Sequence, residues 1–84
     1  MTDVYMKEVG SRIRALRVEF DINQQTLANA VFIAQNTLSQ YENGIALPGL
    51  EVVVRLAIAL NTTTDFLLGL EDEFGNKTKK TPLF

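Results

Sequence analysis

Residues 23–44 read NQQTLANAVFIAQNTLSQYENG, and this stretch decides the fold. Asn23 is a strong helix N-cap residue, because its side-chain oxygen can accept from a free N–H in the first turn. A helix then runs from Gln24 to Val31 and buries Leu27, Ala28 and Val31. A turn follows at Phe32 and Ile33. A second helix covers about Gln35 to Asn43, burying Leu38 and Tyr41, and Gly44 stands where a left-handed residue closes a helix. Two short helices separated by a tight turn are therefore expected here.

Outward from this pair, Met6, Val9, Ile13, Leu16 and Phe20 recur at three- and four-residue steps, a single amphipathic stripe that makes helix 1. On the other side, Pro48 sets the entry to a helix from about Leu50 to Leu60, with a core face of Leu50, Val53, Leu56, Ala57 and Leu60. Asn61 stops it, and Thr63 caps a last short helix ending near Gly69. No segment alternates with the period of a strand. The expected class is all-α, a compact five-helix domain over residues 1–70, with residues 71–84 as a mobile or accessory tail: Gly75, Asn76 and Pro82 break any helix there.

The 84-residue chain has room for one core. It contains neither Cys nor His, so thiolate metal sites, disulfides and the commonest general base are excluded. With no nucleophile–base pair and no glycine-rich phosphate loop, no enzyme, cofactor or metal is expected. No apolar run is long enough for a membrane and the start lacks a signal-peptide pattern, so a cytoplasmic location is expected. The net charge of −2 argues against a strong nonspecific grip on nucleic acid. Its distribution is uneven, however: Lys7, Arg12, Arg14 and Arg17 lie early, and Glu71, Asp72 and Glu73 late.

The joint spacing of Gln24-Gln25-Thr26-Leu27-Ala28, Thr37-Leu38-Ser39-Gln40-Tyr41-Glu42-Asn43-Gly44, Pro48, Leu56-Ala57-Ile58-Ala59-Leu60 and Asp65-Phe66-Leu67-Leu68-Gly69 resembles the helix-turn-helix domain of phage repressor, Cro and Xre-like regulators. The resemblance covers about Val9 to Gly69. It implies a lambda-repressor-like fold and a sequence-specific transcriptional regulator, a repressor acting as a homodimer on a double-stranded DNA operator. Helix 3, about residues 35–43, would enter the major groove. With Leu38 and Tyr41 facing the core, Gln35, Asn36, Thr37, Ser39 and Gln40 remain to meet base edges. Gln and Asn pair with adenine and Thr touches a thymine methyl, so readout is biased to A·T pairs. The resemblance further implies phosphate contacts from Gln24, Asn43 and Arg17. It also implies that Gln24 braces the first residue of helix 3, and that Arg17 and Glu42 form a partly buried ion pair locking helix 1 to helix 3.

Three positions depart from the family. Phe32 stands where Gly is frequent; a left-handed Phe would cost about 1–2 kcal/mol, and an exposed one would mark a partner surface. Ala34 replaces the usual Ser or Thr cap of helix 3, at about 1 kcal/mol, which leaves N–H groups open to a DNA phosphate. The loop Ile45-Ala46-Leu47 carries no basic residue, so phosphate affinity should be weaker than in basic relatives. Leu47 packing onto helix 4 accounts for that loop on one reading; a dimer or partner contact through Ile45 and Leu47 accounts for it on the other. The competing functional reading is a protein-interaction module on the same fold, an antitoxin or antirepressor-type partner with a protein co-regulator.

Overall fold

A computed structural model describes residues 2–72 and 74–77. Five helices follow one another: α1 Thr2–Glu19, α2 Gln24–Ala30, α3 Gln35–Glu42, α4 Leu50–Ala59 and α5 Thr64–Leu67. The all-α, five-helix expectation holds, and the two helices at residues 23–44 start where expected, at Gln24 and Gln35, and each ends one residue earlier than expected.

Local chemistry sets these boundaries. The Asn23 side chain accepts from the Thr26 N–H at 2.8 Å and the Thr63 hydroxyl accepts from the Phe66 N–H at 3.0 Å. Helix α3 starts at Ala34 with no side-chain cap. All five helices stop alike, on one left-handed residue: Asp21, Phe32, Gly44, Asn61 and Gly69, with φ between +53° and +82°. In each case the next N–H reaches back five residues, from Ile22 to Arg17, Ile33 to Ala28, Ile45 to Gln40, Thr62 to Ala57 and Leu70 to Asp65. This double closure satisfies the last carbonyls of each helix.

Val9 and Ile13 of α1, Leu27 and Ala28 of α2, Val31 just beyond it, Leu38 of α3, Leu56 and Ala57 of α4, Leu60 and Leu67 form the buried core. Tyr41, Leu16, Ile22 and Ile33 pack around its edge. Two positions expected in the core lie elsewhere. Leu50 is 79% exposed: the buried arc of α4 is centred on Val53, Leu56, Ala57 and Leu60, and Leu50 falls at its margin, in line with Val54 and Ile58. Phe20 is 48% exposed, because it is the first residue after α1 and the chain turns away at Asp21.

The crossing of α1 over the end of α3 is unusually close. A Cβ on Gly10 would stand 2.1 Å from the Tyr41 carbonyl oxygen and 2.8 Å from that of Glu42. A Cβ on Gly44 would lie 2.5 Å from Lys7 Cγ. Backbone meets backbone here, and only glycine permits it.

Of the segment expected as a mobile or accessory tail, the described residues 71, 72 and 74–77 carry bonds among themselves and to the region of α5. Glu71 and Lys77 form an antiparallel bridge, and the Asp72 carboxylate accepts from the Phe74 and Asn76 N–H groups, each at 2.9 Å. Lys77 pairs with Glu71 at 3.1 Å and with Asp65 of α5, and the Thr63 hydroxyl bonds Glu71. Two of these bonds reach back to Thr63 and Asp65, contacts that composition does not show. The bonds to Asp65 and Glu71 engage the Lys77 ammonium.

Phe32 adopts the left-handed backbone at φ +63° and remains 80% exposed, with the Arg55 guanidinium 5.5 Å above its ring. Burial therefore returns little for the strain. Phe32→Gly and Phe32→Ala both remove the ring, and only Gly relaxes the backbone. The Gly variant should be the more stable of the two by about 1 kcal/mol in urea denaturation. Equal stability would show that the turn reshapes.

Candidate nucleic-acid interface

The exposed side of α3 is polar. Gln35, Asn36 and Gln40 lie in solvent, Thr37 and Ser39 are half-buried, and Leu38 and Glu42 point inward. The helical period gives this division: Leu38 and Glu42 are four residues apart on one face, and Asn36 and Gln40 on the opposite one.

Glu42 is the hub beneath that face. Its side chain is fully buried. Oε2 accepts from Arg17 Nε at 2.7 Å, and Oε1 accepts from Arg17 Nη2 at 3.0 Å, Gln24 Nε2 at 3.1 Å and Arg14 Nε at 3.3 Å. Arg17 also donates to the Ile22 carbonyl at 2.8 Å. Burial pushes the Glu42 carboxyl up, but the bonds from Arg17, Gln24 and Arg14 outweigh it and hold the group below the usual carboxylate range. The bond to Glu42 raises Arg17 in turn, against a smaller opposing effect of burial. The paired fork of Arg17 on a carboxylate is a geometry that Lys cannot supply.

From this hub, bonds run to both ends of α3. Gln24, the first residue of α2, accepts from Gln35 Nε2 at 3.5 Å, a long contact that nonetheless joins the starts of the two helices. At the other end, Arg14 Nη2 donates to Asn43 Oδ1 at 2.7 Å, and Asn43 Nδ2 donates to Ser39 Oγ at 3.3 Å. The Asn43 amide is thereby fixed in orientation. The structure thus brings together Gln24, Gln35, Arg17, Glu42, Asn43 and Ser39; it leaves Asn36, Thr37 and Gln40 outside this network. Two guanidiniums against one carboxylate leave one positive charge in excess, in a chain whose net charge is −2.

Sequence reasoning does not single out Arg14 as a site residue. The signal lies in spacing: Gly10, Arg14 and Arg17 fall at i, i+4 and i+7 on one face of α1. Ile45 is 67% exposed and Leu47 39%, so Ile45 stands in solvent while Leu47 is the more covered of the two. Among the described residues there is no cluster of groups suited to a metal ion and no helix long and apolar enough to cross a membrane.

The helix-turn-helix family matches residues 13–67. The chain is 49% identical over 47 residues to the cryptic phage CTXphi transcriptional repressor RstR of Vibrio cholerae, covering 56% of this chain and 42% of that protein. It is 31% identical over 71 residues to the transcriptional regulator ImmR of Bacillus subtilis, covering 84% and 55%. The chain spans about half the length of the curated relatives it matches. Among solved structures, the P22 c2 repressor bound to a synthetic operator superposes with a TM-score of 0.70 at 35% identity, over 71% of this chain and 91% of that one. The restriction-modification controller protein C.AhdI of Aeromonas hydrophila superposes at 0.71 and 27% identity, over 74% and 94%.

Proposed function

The chain belongs to the helix-turn-helix family of the phage-repressor type, and on that premise we propose that it is a sequence-specific DNA-binding transcriptional repressor. Helix α3 lies in the major groove, with Gln35, Asn36, Thr37, Ser39 and Gln40 at base edges and Gln24, Asn43 and Arg17 on phosphates. The observation that carries this reading is the exposed Gln35, Asn36 and Gln40 surface resting on a buried hub with one excess positive charge. Arg14, half exposed at the hub's outer edge, joins the phosphate set. The binding unit is residues 1–70. It works in the cytoplasm as a homodimer, two copies of α3 about 34 Å apart on a two-fold operator, with Ile45 and Leu47 as candidate contacts between copies. A protein-interaction module as the main role has no support from relatives named as repressors.

Selection of bound sequences from a random DNA pool at two salt concentrations tests the reading; enrichment of no motif would overturn it. Gln35→Ala and Gln40→Ala should each relax preference at defined A·T positions by about 1–3 kcal/mol. Arg14→Gln should weaken binding evenly across sequences and make the slope of log affinity against log salt shallower by about 1. Unchanged preference in both glutamine variants would remove them from the readout set.

A further inference from the structure

A serine hydroxyl on a groove-facing helix can read a base either way, as donor or as acceptor. In this chain the surrounding bonds remove one of the two options. The Arg14 guanidinium of α1 carries donors only. Its Nε donates to the Glu42 carboxylate at 3.3 Å and its Nη2 donates to Asn43 Oδ1 at 2.7 Å. The Asn43 amide must therefore present its oxygen to Arg14 and its NH2 group to the other side. There Nδ2 donates to Ser39 Oγ at 3.3 Å. The Asn43 backbone N–H also bonds the Ser39 carbonyl at 3.0 Å, which holds the two residues one turn apart. Among the described residues the contact with Asn43 is the one side-chain bond at Ser39. The hydroxyl oxygen accepts there, so its proton is turned away from the amide and is free to be donated.

We propose that Arg14 is a positioning residue for base readout: through Asn43 it fixes the Ser39 hydroxyl as a donor, and Ser39 then selects acceptors on the base edge. This rests on the reading of α3 as the groove-binding helix. In the major groove guanine, adenine and thymine each present an acceptor, whereas cytosine presents only its N4 amino donor. At the base that Ser39 meets, cytosine is therefore rejected. The choice is made from outside the recognition helix, by a side chain of α1 that is 47% exposed. It also differs in kind from readout by Gln35, Asn36 and Gln40. Their amides carry donor and acceptor together and pair with adenine on both; Ser39 is left with one polarity.

Selection of bound sequences from a random DNA pool, run on the full chain and four folded variants, tests this. Ser39→Ala should lose the rejection of cytosine at one position of the motif, by about fivefold or more, and leave the other positions alone. Arg14→Met keeps an unbranched side chain without a donor, so the Asn43 amide is free to turn over and the same rejection should relax. Arg14→Gln can still donate to both Glu42 and Asn43, so it should keep the rejection while its loss of affinity stays even across sequences. Asn43→Asp puts acceptors on both sides. Ser39 must then donate to the carboxylate and turn its lone pairs to the groove, so cytosine should be preferred over thymine at that position even as overall affinity falls. A motif unchanged by Ser39→Ala overturns the proposal and leaves DNA binding standing. So does cytosine still rejected in Arg14→Met or in Asn43→Asp, or a rejection lost in Arg14→Gln. A pool that yields no motif overturns the DNA-binding reading and this proposal with it.

Discussion

Replacing Glu42 by Ala should lower the free energy of unfolding by about 3–5 kcal/mol in urea denaturation at neutral pH. The carboxylate is wholly buried and accepts four hydrogen bonds, two of them from an Arg17 whose side chain is only 14% exposed. Its removal leaves that guanidinium enclosed without a counter-charge, and an unpaired buried charge is the costly outcome. A domain of 84 residues has about 4–13 kcal/mol in total, so the variant retains a fraction of its stability and melts at least about 12 °C lower. A loss below about 1 kcal/mol would mean the hub is dispensable. The effect also carries a pH signature. The Glu42 carboxyl lies below its ordinary range in the folded chain, so the folded state binds fewer protons than the unfolded one between those two values. Its contribution is complete above the ordinary carboxylate range, and disappears as pH falls through the depressed folded value. Stability plotted against pH should therefore fall more steeply in acid for the parent than for Glu42→Gln. Parallel curves for the two would contradict this origin.

Gly10→Ala should cost about 2–3 kcal/mol, against the expectation from helix propensity, which favours Ala by about 1 kcal/mol. The added methyl meets two backbone carbonyls at 2.1 and 2.8 Å; neither can rotate aside, so α1 must lift from α3. Gly49, where an added methyl would find nothing within 4 Å, is the control, and Gly49→Ala should stay within about 1 kcal/mol of the parent. Lifting α1 also draws Arg14 and Arg17 away from Glu42, so Gly10→Ala should weaken DNA binding at temperatures where it remains folded. A neutral or stabilising Gly10→Ala would show that the close crossing is not needed.

The sequence made the helix boundaries legible where the signal is local. Asn23 and Thr63 cap, Gly44 and Asn61 stop, and the period of Leu27, Leu38, Leu56 and Leu60 points inward; each is read within one or two turns. What stayed hidden depends on how distant turns meet. Gly10 looks like a poor helix residue until α3 is laid across it. Leu50 shares the period of the core and still faces water, because no loop covers the margin of α4. Arg14 is one basic residue among several until Asn43 arrives beside it. The polar face of α3 was legible residue by residue; of the bonds beneath it, only the Arg17–Glu42 pair and the Gln24–Gln35 brace were legible, through family likeness.

The five left-handed helix ends bear on how fast the chain acquires its shape. Each stop is written within six consecutive residues, so no helix needs a distant partner to fix its length. The slow part of the search reduces to docking short rods whose ends are already defined, joined by connections too brief to wander. Helical domains dominated by such nearby contacts fold in about microseconds to milliseconds. A domain of this build regains its shape on that timescale after a brief loss.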